Sequence, residues 1–112
     1  MLGDVEKLDE KIDSAETSPV YLKTSIVEPI LVACNKKESF SGIFNFVNKS
    51  EFIPEAVLRK YLFHLINGSF VKYDGRKKVF VLCNCGAELL HVIYSQIQDN
   101  PIFYQDLTIK VE

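Results

Sequence analysis

The chain has 112 residues, of which 47% are hydrophobic and 12% aromatic, so it can bury one modest core and is too short to divide comfortably into two domains. The formal net charge of −2 hides an asymmetry, because residues 1–18 carry six acids against two Lys, whereas residues 19–112 carry eleven Lys or Arg against nine acids. This balance argues against a nucleic-acid packaging protein, which would be more basic, and leaves room only for a local contact with nucleic acid.

Targeting signals and membrane spans are not evident in this sequence. The longest apolar runs, such as residues 79–83, fall far short of the roughly 20 residues that a spanning helix needs. The N-terminus is acidic, whereas a signal peptide begins with basic and then apolar residues. We therefore expect a soluble, cytoplasmic protein with no membrane partner.

Catalytic and metal-binding patterns are weak. There is no Ser/His/Asp ordering, no glycine-rich phosphate loop and no HExxH, so we expect neither an enzyme nor a small-molecule substrate. Cys34, Cys83 and Cys85 cannot all pair within one chain and are expected to be reduced. Cys83 and Cys85 would share one face of a strand, but their spacing lacks the paired units of zinc sites. We predict no metal and no cofactor, and a thiol-redox or metal-sensing role would depend on these two cysteines.

The first predicted element is a short amphipathic helix in the acidic leader, residues 1–18. Its apolar residues recur at spacings of three, three and four, and they are Leu2, Val5, Leu8 and Ile12. A helix of this length is marginal on its own in water. The leader therefore either packs against the body or a second subunit, or it is a frayed acidic segment.

Two core helices follow. The first is predicted from Thr24 or Ser25, with one of these hydroxyls as its cap, and ends at residues 35–37. The second begins after Ser39, and its apolar positions are Phe40, Ile43, Phe44 and Val47.

The next helix, residues 54–67, has the clearest periodicity. Pro54 suits a first turn, where its missing N–H costs nothing, and Asn67-Gly68 is a good C-terminal stop. The core-facing side chains are Leu58, Tyr61, Leu62 and Leu65. The opposite face carries Arg59, Lys60 and Phe63.

A hairpin, a last helix and a tail complete the chain. Residues 70–82 form the hairpin, and Asp74-Gly75 predicts a tight turn with positive φ. The last helix spans residues 86–98, and its apolar stripe is formed by Leu89, Leu90, Ile93 and Ile97. In the tail, residues 101–112, a strand is possible whose face would carry Leu107, Ile109 and Val111.

This order of elements predicts an α+β fold, a winged helix-turn-helix with a three-helix core, a β-hairpin wing and a C-terminal helix, in one domain over residues 19–100. In such a domain the third helix reads base edges in the major groove, while contacts with phosphates fix its register. The wing tip reaches the adjacent backbone or minor groove. The expected DNA-binding residues are Arg59, Lys60, Arg76, Lys77 and Lys78.

Four stretches between Ser41 and Ile93 also carry a family resemblance: RKYLFHLI in the recognition helix, NGSFVKYD after it, GRKKVFVL in the wing and LCNCGAELL at the entry to the last helix. In their order and spacing they resemble the small archaeal winged-helix regulators and chromatin-associated proteins. The resemblance covers about half the chain. It implies a homodimer built through the C-terminal helix, with two recognition helices presented to double-stranded DNA.

The sequence leaves two functions open. The first is a homodimeric transcriptional regulator that binds double-stranded DNA. The alternative is a winged-helix module that binds protein and not DNA, since Glu51 and Glu55 place acids near the recognition helix and Phe63 lies off its core face. The residues expected at a partner or dimer surface are Phe63, Leu89, Leu90, Ile93 and Ile97.

Overall fold

The computed structural model describes residues 20–99 and 108–111. Within them the protein is α+β, with four helices and two small antiparallel sheets. In chain order the elements are β1 (Val20–Lys23), α1 (Thr24–Asn35), α2 (Phe40–Val47), α3 (Glu55–Asn67), β2 (Val71–Asp74), β3 (Val79–Leu82), α4 (Asn84–Asp99) and β4 (Thr108–Val111). The leader, residues 1–18, and Leu107 lie outside the described residues.

Helix α1 lies at the centre of the core. Its sequence is apolar on nearly every side, which is typical of a helix surrounded by other elements. It packs against α2, α4, β1 and β3. Fully buried side chains from the other elements close the core around it, and among them are Leu22, Ile43, Leu58, Leu65, Val71 and Ile93.

The N-terminal caps of α1 and α2 differ from each other. The expected hydroxyl cap on α1 is wrong, because Lys23 is the extended cap residue and makes no side-chain cap bond. The Ser25 hydroxyl donates instead to Glu51 Oε1 at 3.0 Å. The predicted start of α2 is confirmed, since the Ser39 hydroxyl accepts a hydrogen bond from the Gly42 amide at 3.2 Å.

Helix α3 follows its predicted pattern. The four predicted core residues are all buried, and they are Leu58, Tyr61, Leu62 and Leu65. The helix ends at Asn67 as expected, but the left-handed residue is Ser69, with φ 66°, and not Gly68. The Phe70 amide donates to the Leu65 carbonyl at 2.9 Å and the Ser69 amide to Ile66 at 3.0 Å, which is a Schellman ending.

The predicted hairpin is present, but its expected tight turn is wrong. Asp74 is opposite Val79, so residues 75–78 form a four-residue loop. Lys78, and not Gly75, has the positive φ, at 58°. The Asp74 side chain stabilises the loop by accepting hydrogen bonds from the amides of Arg76 at 3.0 Å and Lys77 at 3.2 Å.

The last helix begins two residues before its predicted start, at Asn84. Cys83 therefore follows β3 and Cys85 lies in the first turn of α4, which corrects their expected placement on one face of a strand. Gly86 is buried against the Phe70 backbone, with no room for a Cβ atom. This contact holds α4 against the start of the hairpin.

A second sheet joins the two ends of the described chain. Strand β1 pairs antiparallel with β4, with Leu22 opposite Ile109 and Val20 opposite Val111. The possible strand in the tail is confirmed for Ile109 and Val111, whereas its partner β1 has no counterpart among the predicted elements. Leu22 is fully buried, so β1 also contributes to the core.

Candidate nucleic-acid interface

A surface groove separates the start of α2, the end of α3 and the hairpin. Its volume is about 550 Å³. The lining contains four apolar or aromatic side chains, two serines and one cation, and it consists of Ser39, Phe40, Ser41, Ile66, Tyr73, Lys78 and Phe80. We call it the aromatic groove.

Two aromatic rings from the hairpin form one wall of the aromatic groove. Tyr73 and Phe80 are opposite each other in the register of β2 and β3, and their ring centres are 4.8 Å apart. Phe80 packs partly against the core, whereas Tyr73 is 49% exposed. One ring is therefore held firmly and the other has a face available to a ligand.

The hairpin is fixed in place by backbone hydrogen bonds at several points. The Phe80 amide donates to the Glu38 carbonyl at 2.8 Å, which joins β3 to the loop between α1 and α2. The Cys83 amide donates to the Phe70 carbonyl at 3.0 Å, just after α3. The first of these bonds holds Phe80 close to the chain segment that precedes the lining residues Ser39 and Phe40.

Arg59 contacts one of the side chains that line the aromatic groove. Its guanidinium carbon is 5.0 Å from the centre of the Phe40 ring, which is within the range of a cation–π contact. Its Nη2 atom is 3.5 Å from Glu55 Oε1, one turn earlier on α3. Phe40 lines the groove together with Lys78, whereas Arg59 is not part of the lining.

The other expected DNA contacts lie on exposed surface outside this groove. Lys60 is exposed on α3, and Arg76 and Lys77 are exposed on the hairpin loop, but none of the three lines the groove. The sequence did not identify the groove, because the expected tight turn at Asp74-Gly75 would not place Tyr73 opposite Phe80, as the observed register does.

Glu51, an acid expected near the recognition helix, is engaged elsewhere. Its Oε2 atom accepts a hydrogen bond from Lys23 Nζ at 2.9 Å, and Oε1 accepts from the Ser25 hydroxyl at 3.0 Å. The bond from Lys23 lowers the pKa of Glu51, and the Ser25 bond and the Lys23 charge act in the same direction against partial desolvation. Glu51 thus fastens the loop before α3 to β1 and α1.

The expected partner surface divides into exposed and buried residues. Phe63 is 60% exposed, with its ring edge-on to His64. Ile93 is only 2% exposed and belongs to the core of this chain, so its assignment to a partner surface is wrong. Partly buried side chains packed against that core are Leu89, Leu90 and Ile97.

Two exposed side chains on α4 were missed by the sequence analysis. Val92 is 49% and Tyr94 44% exposed. The Tyr94 hydroxyl donates to Glu28 Oε2 at 3.1 Å, and partial burial together with the Glu28 charge raises the pKa of Tyr94. The apolar stripe that the sequence predicts lies on the inner face of α4. The exposed residues on the outer face of this helix are evident only in the structure.

The three cysteines have different environments. Cys34 is buried, Cys83 is partly buried and Cys85 is exposed. Burial, with a smaller effect from Cys83, raises the pKa of Cys34 to about 12. Among residues 20–99 and 108–111, no three His, Cys, Asp or Glu side chains are grouped so that they would hold a metal ion.

No helix in the described portions of the chain combines the length and apolar character needed to cross a bilayer. No protein-family model, curated protein or solved structure matches this chain.

Proposed function

We propose that this chain is a winged-helix protein that binds double-stranded DNA, as a homodimeric transcriptional regulator of the type that its sequence resembles. In this assignment α2 and α3 form the helix-turn-helix, α3 is the recognition helix and the hairpin is the wing. The order α1, α2, α3, hairpin and α4 supports it. So does the immediate passage from α3 into the hairpin, which keeps the two proposed DNA-contacting elements adjacent.

The observation that carries the proposal is that α3 and the wing both present exposed cations. Arg59 is exposed on α3, where it contacts Phe40, and Lys78 lines the aromatic groove from the hairpin. Arg76 and Lys77 are exposed on the same loop as Lys78. A helix and a hairpin tip that both present cations suit contacts with the phosphates on either side of a DNA groove.

The distribution of charge is consistent with a polyanionic partner. Residues 20–99 and 108–111 contain eleven Lys or Arg against seven acids. The two acids near the start of α3 are both partnered, Glu51 by Lys23 and Glu55 by Arg59. Their negative charge therefore opposes DNA binding less than the sequence suggested.

Titration of a labelled DNA duplex at several salt concentrations tests the proposal. Binding should weaken steeply as salt rises, and no binding even at low salt would exclude it. Substituting Arg76, Lys77 and Lys78 together by Gln should reduce the salt slope by up to about 2.7, since each lost phosphate contact removes about 0.9.

A matched control removes three charges outside the aromatic groove, at Lys36, Lys37 and Lys49. The Lys36 and Lys49 amines lie 5.3 and 5.9 Å from the centre of the Phe46 ring, which does not line the groove. The control variant should keep a salt slope close to that of the wild type. An equal reduction in both variants would show that only net charge matters.

The homodimer is a separate part of the proposal, tested by solution mass. We place its interface on α4, where Val92 and Tyr94 are exposed beside the partly buried Leu89 and Leu90. Val92→Asp should lower the solution mass to that of a monomer without unfolding the chain, because Val92 is outside the core. A monomeric wild type at micromolar concentration would contradict this part alone.

Exposed phenylalanines favour a second function, binding to a protein. Phe52 is 80% and Phe63 60% exposed, and large exposed aromatic rings are common anchors in protein interfaces. The double substitution of Phe52→Ser and Phe63→Ser should leave the salt dependence of DNA affinity unchanged if the chain binds DNA as proposed. If the chain binds protein and not DNA, the duplex titration above gives no signal.

A further inference from the structure

We infer that the aromatic groove holds one unpaired nucleobase, so that the chain binds a duplex containing an unpaired base more tightly than a fully paired one. This inference rests on the proposed DNA binding and specifies the form of DNA. It is motivated by the combination of aromatic side chains, hydroxyls and a cation in the lining of a single groove.

The walls of the groove have the chemistry of a stacking site. Tyr73 is half exposed and backed by Phe80 at 4.8 Å, so its position is supported before a ligand arrives. Phe40 forms another part of the lining. Aromatic side chains bind unpaired bases of any sequence, because every base has a π face, whereas the bases of an intact duplex are already stacked.

The polar groups of the lining suit a nucleotide, which carries both a charged phosphate and a base edge with hydrogen-bonding groups. Lys78 lies in the lining, where it would face a phosphate beside the base, and Arg59 contacts the lining residue Phe40. Ser39 and Ser41 supply hydroxyls that can bond with a base edge. The lining contains no acidic side chain that would repel the backbone.

The size of the groove is compatible with this ligand. Its volume of about 550 Å³ is in the range of sites for small organic molecules and exceeds what a single base fills. The groove is also open to solvent, so a strand can enter and leave it on both sides of the held base.

The experiment compares two duplexes of the same sequence, one with a single unpaired 2-aminopurine and one with that base paired to thymine. We expect the full-length protein to bind the unpaired form at least about fivefold tighter, the lower end of the effect of stacking one base. The fluorescence of the unpaired 2-aminopurine should fall on binding, because stacking against an aromatic ring quenches it.

Tyr73→Leu is the diagnostic variant and Tyr21→Leu its matched control. The two tyrosines are 49% and 59% exposed, so neither substitution opens the core, and Tyr21 lies on β1 outside the groove. Tyr73→Leu should remove the preference and the quenching, whereas Tyr21→Leu should retain both. Thermal unfolding of both variants checks that they are folded.

Equal affinity for the two duplexes, without quenching, overturns the inference and leaves the proposed DNA binding intact. Quenching that persists in Tyr73→Leu also overturns it, because the base is then held elsewhere. If Tyr73→Leu leaves the affinities for both duplexes unchanged, the groove serves another occupant, such as a protein segment, and the inference fails. The absence of salt-dependent binding to either duplex overturns the proposed function itself.

Discussion

Glu51 accepts a hydrogen bond from the ammonium group of Lys23 over 2.9 Å, and so joins the loop before α3 to the end of β1. The contact spans 28 positions of the chain. Glu51, an acid that the sequence predicts near a recognition helix, therefore connects structural elements of the fold. The effect of this contact on stability depends on pH, because it requires an ionised carboxylate.

Glu51→Gln should lower the free energy of unfolding at neutral pH and have less effect in acid. The pKa of Glu51 is lowered in the folded chain, so its contribution is present above the unfolded pKa and is lost as pH falls through the folded pKa. The pair is partly exposed, so we expect a loss of about 0.2–1 kcal/mol. Urea unfolding at pH 7 and pH 3 measures this difference.

Glu88→Gln provides the control for Glu51, since Glu88 is exposed on α4 and the described part of the chain gives it no ion pair. Its effect on unfolding should be small at both pH values. A destabilisation by Glu51→Gln that is the same at pH 7 and pH 3 would show that the charge of Glu51 has no role.

Gly86→Ala should destabilise the fold. A Cβ atom at this position would collide with the Phe70 carbonyl oxygen and lie 2.6 Å from Leu82 Cδ1, so the start of α4 would have to move away from the hairpin. Overpacking of this kind costs about 1–3 kcal/mol. Gly75→Ala is the control, because its Cβ would be 3.8 Å from the nearest described neighbour, in Tyr73. Chemical unfolding of both variants tests this, and equal midpoints would contradict it.

Ser69→Gly should stabilise the chain by about 1 kcal/mol, because Ser69 occupies the left-handed position of the Schellman ending with φ 66°. The neighbouring Gly68 has φ −83° and does not need glycine for its backbone. Gly68→Ala should be destabilising, since its Cβ would lie 2.6 Å from a ring carbon of Phe70. Thermal unfolding compares the two variants, and a lower melting temperature for Ser69→Gly would contradict the assignment.

Cys85 should react with a thiol reagent much faster than Cys34 in the folded chain. Cys85 is exposed, whereas Cys34 is buried with its pKa raised to about 12. At pH 8 only about one Cys34 thiol in ten thousand is ionised, and the thiolate is the reactive form. Mass spectrometry after timed labelling gives the order of reaction. In denaturant the cysteines should react at similar rates, and rapid native labelling of Cys34 would contradict its burial.

Local patterns in the sequence were sufficient for the helices but not for the contacts between distant segments. The buried face of α3 and the start of α2 depend on residues a few positions apart, so periodicity identified them. Strand β1 was missed because its four residues become a strand by pairing with Thr108–Val111 at the other end of the chain.

The hairpin turn and the aromatic groove were also not predicted by local patterns in the sequence. Asp74-Gly75 is a strong local signal for a tight turn, but the register leaves four residues in the loop and moves the positive φ to Lys78. The groove is lined by residues from distant segments, which the bond from the Phe80 amide to the Glu38 carbonyl helps to join, and no periodicity in either segment encodes that bond.

Two substitutions of Asp74 distinguish the effect of the shape of the hairpin loop on DNA binding from the effect of its charge. Its carboxylate accepts hydrogen bonds from the amides of Arg76 and Lys77, and it places one negative charge beside the cations of the loop. Asp74→Asn keeps an oxygen acceptor and removes the charge, so it should strengthen DNA binding several-fold at low salt and less at high salt. Asp74→Ala makes the same change in charge but loses both hydrogen bonds, so it should bind less tightly than Asp74→Asn. Anisotropy titrations at two salt concentrations distinguish them. Unchanged affinity in Asp74→Asn would mean that the loop does not approach the DNA phosphates.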